Sequence, residues 1–130
     1  MSIYSFILIA ISLFHFSFTQ PNTISVDPNP EELIGTWEVT FDNGPSADPS
    51  YTTLVIDKIS QKTFEGSFYY SEMGECRLTQ RNGILYLAFV TEDNSGYYAS
   101  VGKWDGETME GTTHSAGRDF LAIWTAEKKN

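Results

Sequence analysis

From Glu31 onward the chain repeats one unit, a short run rich in Val, Ile, Thr, Tyr, Phe and Trp closed by a turn signal, about every 11 or 12 residues. No window of that stretch keeps a helical apolar period over three turns. Eight such runs occupy 33–41, 51–59, 63–71, 75–81, 84–91, 97–104, 108–115 and 119–127. With connections this short, each run pairs with the next. The predicted fold is therefore all-β, an eight-stranded antiparallel up-and-down (meander) β-barrel, whose closure also removes the unpaired sheet edges. An open sandwich of seven or eight strands is the alternative arrangement.

The connections sort by length. Those after the second, fourth and sixth predicted strands are tight: Ser60-Gln61-Lys62, Asn82-Gly83 and Asp105-Gly106-Glu107. Asn-Gly supplies the two positive-φ residues of a two-residue hairpin. The others include the long 42–50 loop and stretches near 72–74, 92–96 and 116–118. Alternate loops of a meander share an end, so one end is closed by tight turns and the other carries longer loops, as in a cup. Trp37, Trp104 and Trp124 all fall toward the tight-turn end and are expected to plug its floor. Gly66 and Gly111 inside strands point to bends or close backbone approach.

Ahead of this domain, Phe6 to Phe16 form an apolar run of signal-peptide length, too short to span a bilayer comfortably. Ser17 and Thr19 supply the small residues a signal peptidase expects, so residues 1–19 are read as a cleaved signal peptide. Three prolines within 20–30 make that stretch an extended leader, and 31–130 the single barrel domain. The product is expected to be secreted, or periplasmic in a bacterium with two membranes. A formal charge of −9 argues against nucleic acid, or a membrane surface for the mature form, as a partner. The single cysteine, Cys76, allows no internal disulfide and alternates with Leu78 as a buried hydrophobe would.

Gly35-Thr36-Trp37, opening the first strand of such a meander, resembles the calycin barrels: lipocalins, fatty-acid-binding proteins and avidins. The layout over 33–127 looks most like the avidin group, and Phe64-Glu65-Gly66-Ser67-Phe68 looks like that group's third strand. The resemblance implies an eight-stranded barrel that holds a ligand. Two departures argue against tight biotin binding. Val39 stands where the avidin group places an Asn, and Phe68 where it places a Tyr; a site built on hydrogen bonds loses heavily when its polar partners become apolar. Asp119 could stand in for the group's late aspartate, but one residue does not rebuild that network. Lipocalins stack an Arg of the last strand on the Trp of the closed end. Here Arg118 begins the last strand, at the mouth, and that cap is expected to be absent.

Period-2 reading places Trp37, Val39 and Phe41, then Phe64, Phe68 and Tyr70, then Phe120, Ala122 and Trp124 on interior faces. The mouth should collect Tyr69, Tyr70, Tyr97, Tyr98, His114, Ser115 and Arg118. Candidate ligand-binding residues are thus Trp37, Phe68, Tyr70, Tyr98, Trp104, His114, Arg118 and Trp124. The fifth predicted strand is apolar on both faces, and Leu85, Leu87 and Phe89 are expected to form an exterior stripe through which the chain self-associates. No paired-histidine, CxxC or calcium-loop spacing calls for a metal, no motif calls for a cofactor, and no nucleophile–base constellation suggests an enzyme. The expected function is an exported carrier or scavenger of a modest, partly apolar small molecule. The alternative is a filled barrel that acts through its surface on a protein, such as a protease, with the leader as an inserting arm. The small residues Ala99, Gly102, Gly111 and Ala122 are what could leave room inside.

Overall fold

The computed structural model describes Thr19, Ile24 and residues 26–130. Apart from Thr19, the predicted signal peptide lies outside the described residues, as does most of 20–25. The barrel strands are β1 (Gly35–Asp42), β2 (Ser50–Ser60), β3 (Thr63–Phe68), β4 (Ser71–Glu72), β5 (Gly74–Arg81), β6 (Ile84–Asp93), β7 (Gly96–Trp104), β8 (Met109–Ser115) and β9 (Phe120–Lys128). All pairings are antiparallel, in the order β4-β3-β2-β1-β9-β8-β7-β6-β5. The fold is an all-β meander rolled into a nearly closed barrel. First and last strands pair along Trp37–Lys128 to Asp42–Ile123, and the seam falls between β3 and β5. One backbone bond, Leu78 N–H to Lys62 C=O at 2.8 Å, bridges that seam at the tight-turn end.

Nine strands replace the eight expected because the run 63–71 folds back on itself at Tyr69-Tyr70. Both tyrosines take positive φ, +52° and +64°, the backbone of a two-residue hairpin turn. Tyrosine is a strand former and no Gly or Asn marks the spot, so nothing local announces the turn. Tyr70, placed inside by period-2 counting, is consequently 83% exposed.

The interior is otherwise alternating. Trp37, Val39 and Phe41 point inward from β1, Leu54 and Ile56 from β2, and Phe64 and Phe68 from β3. On β6 the phase is opposite to the expectation. Leu85, Leu87 and Phe89 are no more than 2% exposed and form part of the core, so they offer no partner surface. A strand that is apolar on both faces carries no internal phase. Its neighbour sets it: Leu85, Leu87 and Phe89 pair with Trp104, Gly102 and Ser100, all buried residues of β7.

The floor is built by two tryptophans and a short plug. The 3-10 turn Pro30–Leu33, capped by the Asn29 side chain accepting from Glu31 N–H at 3.2 Å, drives Leu33 into the tight-turn end, fully buried. Trp37 donates its indole N–H to Leu33 C=O at 2.9 Å and meets Trp104 edge to face, 6.1 Å between ring centroids. Outside this pair Lys128, on the last strand, holds its ammonium 5.7 Å from the Trp37 ring centroid and donates to Glu32 C=O at 2.6 Å. It is a lysine of the last strand, and not an arginine, that lies over the floor tryptophan, while Arg118 lies at the mouth. Two residues of the leader are bonded to the barrel as well: Gly83 N–H donates to Asp27 Oδ1 and Gln80 Nε2 to Pro28 C=O. Asp27 and Pro28 therefore lie against the closed end.

Candidate functional site

Trp124 decides where the filled half of the barrel stops. Register sets it opposite Gly111 on β8 and Phe41 on β1, in mid-barrel and not in the floor as expected. A Cβ added at Gly111 would lie 2.3 Å from the indole, and one at Gly102 would lie 3.1 Å from it. The two glycines therefore seat this ring and do not leave empty space. Its N–H donates to Thr113 Oγ1 at 3.0 Å, and Thr113 shares a second hydrogen bond with Ser100 at 2.8 Å. A buried indole with its donor satisfied makes a flat, rigid base.

Above that base the barrel is open. A cavity of about 430 Å³ reaches from Phe68 and Thr113 up to the loop end. Its apolar wall is Phe41, Phe68, Phe120 and Ala122; its polar wall includes Asn43, Ser50, Thr91, Tyr98 and Thr113. Tyr69, held over the opening by its positive-φ turn, packs 6.2 Å from Phe41 between ring centroids. Phe68 is shared between floor and cavity, with its ring 5.7 Å from Trp124 and 5.2 Å from Phe89.

One polar cluster edges the mouth. Arg118 leaves the 3-10 turn Ala116–Arg118, donates to the Tyr98 hydroxyl at 2.5 Å, and lies 5.9 Å from the ring centroids of both Tyr98 and Phe120. Asp93 Oδ1 accepts from Ser95 N–H at 2.7 Å and Ser95 O–H at 2.6 Å. Those bonds from Ser95, helped by Tyr98 and the Arg118 charge, hold the Asp93 carboxyl below the usual aspartate range. Asp119, reached through a left-handed backbone, closes the turn that aims Arg118. Cys76 is buried and does not line the cavity; burial pushes its thiol pKa up.

Of the candidate ligand residues, the structure brings Phe68, Tyr98 and Arg118 to the cavity, with Trp124 directly beneath. Trp37 and Trp104 lie in the floor, below the filled layer. Tyr70 is outside, and so is His114, which β8 alternation turns outward between Ala99 and Leu121 while Thr113 and Ser115 face in. Phe41, Thr91, Glu92, Asp93, Thr113 and Phe120 are lining residues that were not among the candidates. Thr113 and Thr91 were legible in principle, as the polar members of inward-facing alternations near the long-loop end. Among the described residues no group of three or more His, Cys, Asp or Glu side chains is placed to hold a metal, and no helix is long and apolar enough to cross a membrane. Comparison with protein families, with curated proteins and with solved structures finds no match to this chain.

Proposed function

We propose that this chain is an exported small-molecule-binding barrel, a carrier or scavenger of one modest, partly apolar ligand held at the mouth. One observation carries this: a cavity of about 430 Å³ stands over a base made rigid by Trp124. That volume lies in the range of about 300–1,000 Å³ typical of ligand pockets, and its mixture of aromatic walls with a few convergent polar groups is what such pockets use. An apolar pocket alone would retain ligands weakly selected for shape; Thr91, Tyr98 and Asn43 add direction. No covalent chemistry is assigned to it, since the lining holds no nucleophile paired with a base.

Kinship with the calycin barrels belongs to the same proposal. It is supported by the meander with a Gly-x-Trp start, and by Lys128 lying over Trp37 at the closed end while bonding the 3-10 turn that enters the barrel. Native mass spectrometry of the protein purified from its own host or a secreting one tests the function. A mass excess that vanishes on denaturation is expected, and would identify the ligand. A bare mass that stays bare after incubation with a metabolite extract would refute the carrier.

A further inference from the structure

Most of the polar groups around the cavity are already engaged. Glu92 stands opposite Tyr97 on the outward face of the wall, so its carboxylate is turned away from the interior. At the rim Arg118 donates to the Tyr98 hydroxyl, and Ser95 O–H donates to Asp93. Ser95 has one hydroxyl proton and gives it to Asp93, so the 3.2 Å bond between Tyr98 and Ser95 must run from Tyr98 O–H to Ser95 Oγ. A guanidinium and a carboxylate are thus joined end to end through two hydroxyls, and the rim is balanced in charge. Deeper down, Thr113 is bonded to Trp124 and Ser100.

Thr91 is the exception. It follows Leu85, Leu87 and Phe89 on the inward face of β6, is only 6% exposed, and lines the cavity. Its side chain makes no hydrogen bond among the described residues, whereas that of Thr113, the other lining hydroxyl buried to this degree, is bonded twice. The rest of the deep wall is apolar: Phe41, Phe68, Phe120 and Ala122. A buried hydroxyl without a partner costs stability, and it is free both to donate and to accept. An ammonium or carboxylate brought to it would leave water and meet no opposite charge, at far greater cost than a neutral hydroxyl or carbonyl.

We infer that the cavity selects an uncharged, flat ring system carrying one hydroxyl or carbonyl oxygen, and that Thr91 is the residue that reads that oxygen. The inference rests on the cavity's being a ligand site. Phe41, Phe68 and Phe120 hold the ring by the apolar area it buries. Thr91 fixes which edge of the ring enters first and makes a charged group at that edge costly. The Arg118–Tyr98–Ser95–Asp93 chain shapes the rim and recruits neither sign of ion.

Four naphthalenes of one shape test it by calorimetry on the purified chain in physiological salt: 2-naphthalenemethanol, 2-naphthalenemethylamine as its cation, 2-naphthoate and 2-methylnaphthalene. The alcohol should bind about tenfold tighter than either ion. Thr91→Val should weaken the alcohol about fivefold and leave 2-methylnaphthalene unchanged. Its Tm should not fall, because the hydroxyl has no partner to lose within the fold. Thr91→Ser should keep the alcohol's advantage. If either ion binds as tightly as the alcohol, the selection is overturned while the ligand site stands. If Thr91→Val weakens alcohol and hydrocarbon alike, or neither, the role given to Thr91 is overturned. If none of the four binds, the inference falls, and the native mass of the host-purified protein decides separately whether the carrier falls with it.

Discussion

The two ends of this barrel use the same alphabet of aromatic residues to opposite effect. At the closed end Trp37 and Trp104 meet edge to face, Leu33 is driven in from below, and each ring is no more than 3% exposed. At the open end Tyr98 and Phe120 also meet edge to face, 6.2 Å between ring centroids, but there, with Tyr69, they border about 430 Å³ of space edged by an arginine, a carboxylate and several hydroxyls. The boundary is Trp124. Below it, side chains fill the barrel as they do in most eight-stranded barrels; above it, polar groups prevent a dry collapse because each needs a partner or water. The lesson is that stability and binding are separated along the barrel axis, so substitutions should sort by height.

The largest break should come at the boundary. Trp124→Ala removes a fully buried ring and orphans its contacts with Gly111 and Gly102, and should cost about 3–5 kcal/mol in urea unfolding. Gly111→Ala presses a methyl group into the same indole, for which overpacking typically costs about 1–3 kcal/mol. Because the ring packs against Phe68 and bonds Thr113, both of which line the cavity, this variant should also weaken ligand binding, which native mass spectrometry of the occupied protein would read. At the mouth, Phe120→Ala should cost about 1 kcal/mol or less, yet lower ligand affinity more than any floor variant of equal stability. An equal loss of stability at Phe120 and Trp124 would erase the proposed division.

The hairpin turn at the opening sharpens the comparison in the other direction. Tyr70 is exposed and sits at φ +64°, a conformation costing roughly 1–2 kcal/mol for an ordinary residue. Tyr70→Asn should therefore stabilise the fold by about 1 kcal/mol in thermal unfolding, since asparagine tolerates that backbone. Gln61, at φ +54° in the tight turn between β2 and β3, offers a comparable gain at the closed end, so this strain is not confined to the opening.

The smallest effect is one of pH. Ser95 holds Asp93 at the mouth, and Thr108 with Glu107 holds Asp105 at the closed end. In each case the bonds favour the carboxylate and lower its pKa, Asp105 chiefly through the Thr108 amide. A depressed folded-state pKa means that the unfolded chain takes up protons first as pH falls. Both turns keep their full benefit above the ordinary aspartate value of about 3.9 and lose it as pH drops through the lower folded-state value. Amide exchange at Ser95, Glu107 and Thr108, corrected for intrinsic rates, should accelerate over that window while the Tyr69-Tyr70 turn does not follow. If all three turns respond alike, the carboxylate anchors carry no specific weight.

Much of this layout is local chemistry and was legible as such. Alternating β-branched and aromatic runs, the Asn82-Gly83 turn and the tight-turn/long-loop asymmetry dictate an antiparallel meander with one closed end. They also place Trp37 and Trp104 in the floor and Arg118 at the mouth. What they could not decide is phase and depth. Leu85, Leu87 and Phe89 face inward because β7 presents Trp104, Gly102 and Ser100 to them, and a strand apolar on both sides has no preference of its own. Tyr69-Tyr70 turns a corner that its residues disfavour although β2 runs on to Ser50 beyond the Leu54–Phe68 pair, and the chain pairs back on β3 through Ser67–Glu72 and Phe68–Ser71 instead. His114 and Thr113 differ by one residue and end on opposite faces of the wall. Whether Gly102 and Gly111 leave a cavity or receive a ring depends on which side chain crosses from β9, and only the register of β8 with β9 supplies Trp124. Sequence by itself determined the class of fold and the direction of the cup, through turn chemistry and period. Tertiary structure alone decided how deep the cup is, because depth is set by contacts between strands that no single strand encodes.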